Sequence, residues 1–202
     1  MNRKLFLILC LLTLMGSVGC AKTPPSAYYL LEGIQQEEPA EPLEDVRIGV
    51  GPVSLPGYLD RSQIVTRTDA HAMTIHEYER WGDSLQRQLE NTLAGNLSSL
   101  LQTPHVVIYP WERALRPQYQ VFVSLRRFEG NSTSGTTIDA IWQIVDVATD
   151  ASLLTGTVTT TVPVSGHGME GYVASQSAAL ETLSREIAAG IRKVKQQVPS
   201  QK

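Results

Sequence analysis

Cysteine is nearly missing from this chain: its 202 residues hold two, Cys10 and Cys20. Cys10 lies inside an apolar leader, so a processed chain keeps Cys20 alone, which excludes an internal disulfide and a cysteine-built metal site. Positive charge is also scarce. Against 20 Asp and Glu there are 17 Lys and Arg, and loss of Arg3 and Lys4 with the leader leaves 15 against 20, a formal charge of −5. Affinity for a phosphate backbone comes from clustered Lys and Arg, so nucleic acid is not an expected partner. The one late cationic group, Arg192, Lys193 and Lys195, reads as the last turn of a helix, where cations complement the dipole. No second apolar run follows the leader, and the leader's own run is shorter than the roughly 20 residues a spanning helix needs.

What is present begins with that leader. Asn2, Arg3 and Lys4 are followed by the greasy stretch Leu5 to Met15 and by Gly16-Ser17-Val18-Gly19-Cys20. This is the pattern of a bacterial lipoprotein export signal, with small residues where a peptidase must fit the backbone. Cleavage makes Cys20 the new N-terminus, carrying lipid of the palmitate type; the competing reading is an ordinary secretory signal with an incidental cysteine. Residues 1–19 are thus expected to be the signal, 20–26 a lipidated tether, 27–195 one domain and 196–202 a tail. A lipid on Cys20 would be the only membrane anchor.

The domain reads as α/β or α+β, with a mixed, largely antiparallel sheet covered by two long amphipathic helices. Ala27 to Leu31 has the density of a short strand, and the acidic, proline-interrupted run Gly33 to Asp45 reads as an exposed loop. Val46 to Val50 alternates like a strand and is expected to stop at Gly51-Pro52. Gln63–Arg67 and Ala72–His76 predict a hairpin. From Tyr78 the period changes: Trp81 and then leucines recur every fourth residue through Leu101 and predict a helix; Gly171 to Lys195 predicts another. Strand-like runs at His105–Tyr109, Tyr119–Phe128, Ile138–Val147 and Leu153–Val164 are separated by turn residues at Glu129–Gly135 and Ala148–Ala151, and the last three form a meander.

Catalytic constellations are thin. Ser165-Gly166-His167-Gly168 lacks the Gly-x-Ser-x-Gly elbow and reads as the loop that opens a helix. His71 and His76, near Asp69 and Glu77, fall on opposite faces of a strand, so they do not converge on a metal. Gly49-Val50-Gly51 is a dinucleotide fingerprint only superficially, because Pro52 follows at once. Asn96-Leu97-Ser98 and Asn131-Ser132-Thr133 match a glycosylation pattern in a bacterial context and carry no role. No catalytic residue, metal or cofactor is expected, and the protein is expected not to be an enzyme.

Tyr28-Tyr29-Leu30-Leu31, the stretch Val53-Ser54-Leu55-Pro56-Gly57-Tyr58-Leu59-Asp60-Arg61-Ser62-Gln63-Ile64-Val65 and the helix from Trp81 to Leu101, taken with the signal, resemble the ABC-type transport auxiliary lipoproteins of the PqiC/YmbA type. The resemblance spans essentially the mature chain. It implies a three-layer, anticodon-binding-domain-like architecture and an outer-membrane lipoprotein facing the periplasm. It further implies a partner with an MCE domain in an intermembrane lipid transport system that supports envelope integrity. Ala21 and Lys22, with no aspartate after Cys20, agree with outer-membrane sorting in that family. The same stretch invites a binding role: Pro52, Pro56 and Gly57 prevent regular ladder pairing and leave Leu55, Tyr58 and Leu59 displayed beside Asp60 and Arg61. The alternative is that Leu55, Tyr58 and Leu59 plug the sheet edge. A stand-alone periplasmic lipid-binding lipoprotein is the competing function, and a homo-oligomer is left open.

Overall fold

A computed structural model describes residues 24–35, 41–131 and 133–197. The leader, Cys20 and residues 198–202 lie outside the described residues, and the expected tail at 196–202 is corrected at its start, since 196 and 197 continue the last helix. Among the described residues eight strands and two helices follow in the order β1 (Ala27–Tyr29), β2 (Ile48–Ser54), β3 (Gln63–Arg67), β4 (Met73–Trp81), α1 (Leu85–Leu101), β5 (Val106–Ile108), β6 (Tyr119–Asn131), β7 (Gly135–Asp146), β8 (Ala151–Val162) and α2 (Gly168–Gln197). A 3-10 turn at Arg113–Leu115 joins β5 to β6. The class is mixed α+β, as the alternating periods predict. The strands form two sheets rather than one: a three-stranded sheet in the order β1-β4-β3 and a five-stranded sheet in the order β5-β2-β6-β7-β8.

The meander β6-β7-β8 is antiparallel throughout, and β3-β4 is the expected antiparallel hairpin. β2 instead pairs parallel with both β5 and β6, and β1 parallel with β4. Gly51-Pro52 does not end β2. The strand continues to Ser54 through a register shift between Val50 and Val53, with Gly51 at φ +101. A residue without Cβ takes that conformation at no steric cost, and a bulge is where a strand tolerates proline.

Trp81 ends β4 instead of opening the helix; its N–H donates to Ser62 O at 2.8 Å. The helix begins where its first free N–H groups find an acceptor: Ser84 is the N-cap and accepts from Arg87 N–H. Gln102, in the left-handed region, closes α1 by donating to Ser98 O and Ser99 O. α1 has no cation in its own last turn. Arg192 of α2 supplies one, its guanidinium donating to Leu100 O at 2.9 Å and to Glu41 O at 2.6 Å. The Arg192 group therefore does more than complement its own helix.

Leu85, Leu89, Leu93, Leu97 and Leu101 bury the α1 stripe, and Leu180, Leu183, Ile187, Ile191 and Val194 that of α2, against Ile48, Val50, Val121, Ile138 and Ile144 of the larger sheet. Each such side chain contributes about 1.5–3 kcal/mol relative to exposure. Trp142 of β7 lies where glycines make room: a Cβ on Gly156 of β8 would come within 2.3 Å of its ring, and one on Gly190 of α2 within 2.7 Å.

The segment after β1 is less free than its composition predicts. Leu31 N–H donates to Gln88 Oε1, Ile34 N–H to Asn96 Oδ1 and Glu32 N–H to Ser177 Oγ, so residues 31–34 lie as a strap across α1 and α2. Asn96 also donates to Ser184 Oγ at 3.0 Å, tying the two helices together. Ile34 and Leu43 pack against the core. The exposed-loop reading of 33–45 is corrected at these two residues, because side-chain acceptors on the helices satisfy the strap's backbone.

Candidate functional site

The loop Leu55–Arg61 leaves β2 and turns tightly: Leu59 N–H donates to Pro56 O, Asp60 N–H to Gly57 O and Arg61 N–H to Leu59 O. Pro56 and Gly57 provide the bend that the sequence predicts. The structure corrects the picture of Leu55, Tyr58 and Leu59 as displayed residues. Leu59 is 3% exposed in the core, and Leu55 and Tyr58 are half-buried against it. Asp60 and Arg61 are exposed, together with Gly57. The loop thus turns its apolar side inward and presents a small charged tip.

What holds that loop is a carboxylate that sequence reasoning placed in a turn. Glu129 is fully buried near the end of β6. Its Oε1 accepts from Arg67 Nε at 2.9 Å and Arg127 Nε at 3.2 Å, with Arg67 Nη2 also 2.9 Å away; its Oε2 accepts from Tyr58 Oη at 2.9 Å and Phe128 N–H at 3.1 Å. A register shift between Leu125 and Arg127 changes the alternation of β6, which puts Arg127 and Glu129 on one side and Phe128 on the other. The glycine-rich turn is therefore shorter than expected. Burial raises the Tyr58 phenol above its ordinary value, and the hydrogen bond to Glu129 adds to the rise; that same carboxylate holds the Arg67 guanidinium charged. The network reaches loop 55–61 through Tyr58 and ties it there to β3 and β6.

A second set of bonds backs the first. Tyr172 of α2 accepts from Gly130 N–H at 3.0 Å and donates to Val65 O at 3.3 Å, while Gln176 donates to Phe128 O. Burial pushes the Tyr172 phenol up to about 12. Glu129, Arg67, Arg127 and Tyr172 were not singled out from the sequence. The available signal was a charged residue wedged between Phe128 and Gly130 in a strand-like run.

The other sequence candidates stay apart. Ser165 and His167 are exposed, and the His167 carbonyl accepts from Gly171 N–H in the first turn of α2. His76 Nε2 lies 2.9 Å from Thr66 Oγ1, and His71 is in the hairpin turn, where its N–H donates to Asp69 Oδ1. Among the described residues no three His, Cys, Asp or Glu converge as metal ligands. Gly49 is packed under the Trp111 ring, 2.5 Å from where a Cβ would stand, so its smallness serves packing. No helix among the described residues is long and apolar enough to cross a membrane.

A groove of about 530 Å³ opens between the strap and the first half of α2, lined by Leu30, Ile34, Val173, Ala178 and the carboxylates of Glu32 and Glu170. Tyr28 and Leu30 beside it are 68% and 62% exposed.

Comparison with known proteins follows the same outline. A crystal structure of a Xanthomonas campestris protein of the DUF330 family superposes with a TM-score of 0.72 at 18% identity, covering 85% of this chain and 98% of that one. A second crystal structure, of an uncharacterized protein, gives 0.66 at 24% identity over 83% and 99% of the two chains. Both show the fold. No curated protein matches the sequence. Residues 28–188, from β1 into α2, match one protein family throughout, and the chain belongs to it: the ABC-type transport auxiliary lipoprotein components.

Proposed function

We propose that this protein is a non-enzymatic, lipid-anchored subunit of an MCE-type intermembrane lipid transport system. It is held in the outer membrane by Cys20, faces the periplasm and docks on the MCE-domain protein, and so supports envelope integrity. The observation that carries the reading is the family match across 28–188 combined with a loop, 55–61, whose Tyr58 is held by a buried carboxylate beside the charged tip. A tethered loop loses less freedom on docking, which is what an adaptor needs. Within the loop, Asp60 and Arg61 would meet the partner, while Leu55, Pro56, Tyr58 and Leu59 would hold them in place.

The competing reading, a stand-alone lipid carrier, would use the groove beside the strap. Its volume falls in the range of small-molecule sites, but Glu32 and Glu170 line it, and carboxylates repel a phospholipid phosphate. The docking reading is therefore preferred.

The experiment is mass spectrometry of the N-terminal peptide from membranes together with photocrosslinking from position 61, whose side chain is exposed. An acylated Cys20 and a crosslink to the MCE-domain protein are the expected results. A soluble chain with unmodified Cys20, or an anchored chain that crosslinks to no such protein while co-purifying with lipid, would overturn the proposal.

A further inference from the structure

The groove between the strap and α2 joins an apolar floor to an acidic rim. Leu30, Ile34, Val173, Ala174 and Ala178 supply the floor and Glu32, Glu170 and Glu181 the rim, and no Lys, Arg or His lines it. Leu30 leaves 62% of its surface open there. Glu181 already accepts from Arg185, one turn along α2, at 2.8 Å. Among the described residues the carboxylates of Glu32 and Glu170 meet no cation. The strap's backbone, by contrast, is spent. The N–H groups of Leu31, Glu32 and Ile34 donate to side chains of α1 and α2, and Gly33 O accepts from Gln35 Nε2. An extended peptide finds no ladder to join here, whereas a helix brings its own backbone bonds.

We infer that this groove docks a cationic, amphipathic helix of a partner protein, at a surface separate from loop 55–61. Charge selects the occupant. Two unpaired carboxylates beside an apolar floor attract an apolar segment that carries Lys or Arg, and they repel an acidic segment or a phosphate head group. Geometry sets the spacing. Glu170, Val173, Ala174, Ser177, Ala178 and Glu181 recur at helical intervals and share one face of α2, and the small side chains at its centre let a second helix lie close. Glu32 stands level with Ser177, because its N–H donates to Ser177 Oγ at 3.1 Å. Glu170 lies two turns of α2 before that level, about 10 Å along the axis. The matching helix therefore carries cations at i and i+7 with apolar residues at i+3 and i+4 between them.

The test uses the full chain purified in a non-ionic detergent and a synthetic helical probe with Lys at i and i+7, Leu at i+3 and a photoreactive leucine analogue at i+4. Adducts mapped by mass spectrometry are expected on residues 30–34 and 173–178. Their yield at limiting probe is expected to fall about tenfold in E32Q/E170Q, the loss of two partly screened charge pairs. It should hold in E112Q/E186Q, which removes the same charge from exposed positions elsewhere. Ala174→Lys is the second variant. Position 174 is exposed and four residues after Glu170, so the lysine pairs with that carboxylate along α2, keeps the thermal midpoint and abolishes the adducts. A probe with Glu in place of Lys is expected to give none. Adducts scattered over the surface, equal yields in wild type and E32Q/E170Q, or labelling of the groove by a photoreactive phosphatidylethanolamine and not by the probe, overturns the inference. Neither an acylated Cys20 nor an MCE-domain protein enters the readout, so its failure is distinct from failure of the docking proposal.

Discussion

The phenol of Tyr58 donates to Oε2 of Glu129 at 2.9 Å, joining the loop after β2 to a fully buried carboxylate 71 residues away. Arg67 meets the other oxygen of the same carboxylate. Removing one partner of a buried ion pair leaves an uncompensated charge, which is more destabilising than losing a surface pair.

Arg67→Ala leaves Arg127, Tyr58 and Phe128 N–H on the carboxylate and is expected to lower stability by about 2–3 kcal/mol. Tyr58→Phe leaves the ion pairs in place and is expected to lower it by about 1–2 kcal/mol. Urea midpoints at unchanged slope check both. A Tyr58→Phe loss equal to that of Arg67→Ala would mean that the phenol, not the charge pair, holds the loop.

Tyr172 titrates in the folded protein at about 12 because it is buried, against about 10 in an unfolded chain. The native state therefore keeps a proton that the unfolded state has lost. The stabilisation is complete below pH 10 and declines as pH rises towards 12, by about 2–3 kcal/mol over that interval. Tyr172→Phe is expected to flatten this alkaline decline. Tyr58 and Tyr119 are also raised and keep part of it. Denaturation midpoints measured from pH 8 to 11.5 read the difference.

Trp142 fills the space left by Gly156 and Gly190. Gly156→Ala would drive a methyl group into a ring that is buried between a strand and a helix, so the cost is expected to be about 1–3 kcal/mol. Gly57→Ala, in open space, is the control and should change thermal stability little.

The strap across the helices hangs on Gln88 and Asn96. Asn96→Ala removes the acceptor for Ile34 N–H and the donor to Ser184 at once, and is expected to cost about 1–3 kcal/mol. Faster hydrogen exchange at Ile34, with Leu31 less affected, would identify the strap as the part released.

The sequence by itself determined the elements whose signal is local. Leucine spacing from Leu85 to Leu101 and the stripe of α2 mark helices because a helix repeats its buried face every three or four residues. The runs of β6, β7 and β8 with turn residues between them mark a meander, and Gln63–Arg67 with Ala72–His76 a hairpin. The scarcity of cysteine and of clustered cations likewise needed no structure. Tertiary structure decided the rest. Nothing near Trp81 shows that it ends a strand, since tryptophan suits either period and the choice falls to the cap at Ser84 and to the bond to Ser62. The division into two sheets depends on which strands meet, and β1 with β4 and β2 with β6 are parallel partners far apart in the chain. Leu59 and Tyr58 face inward, and Asp60 and Arg61 outward, because Glu129 and Arg67 form a buried pair 62 residues apart. Local pattern reports the face a residue shares with its chain neighbours, while the satisfaction of a buried charge depends on residues that only folding brings within hydrogen-bond distance.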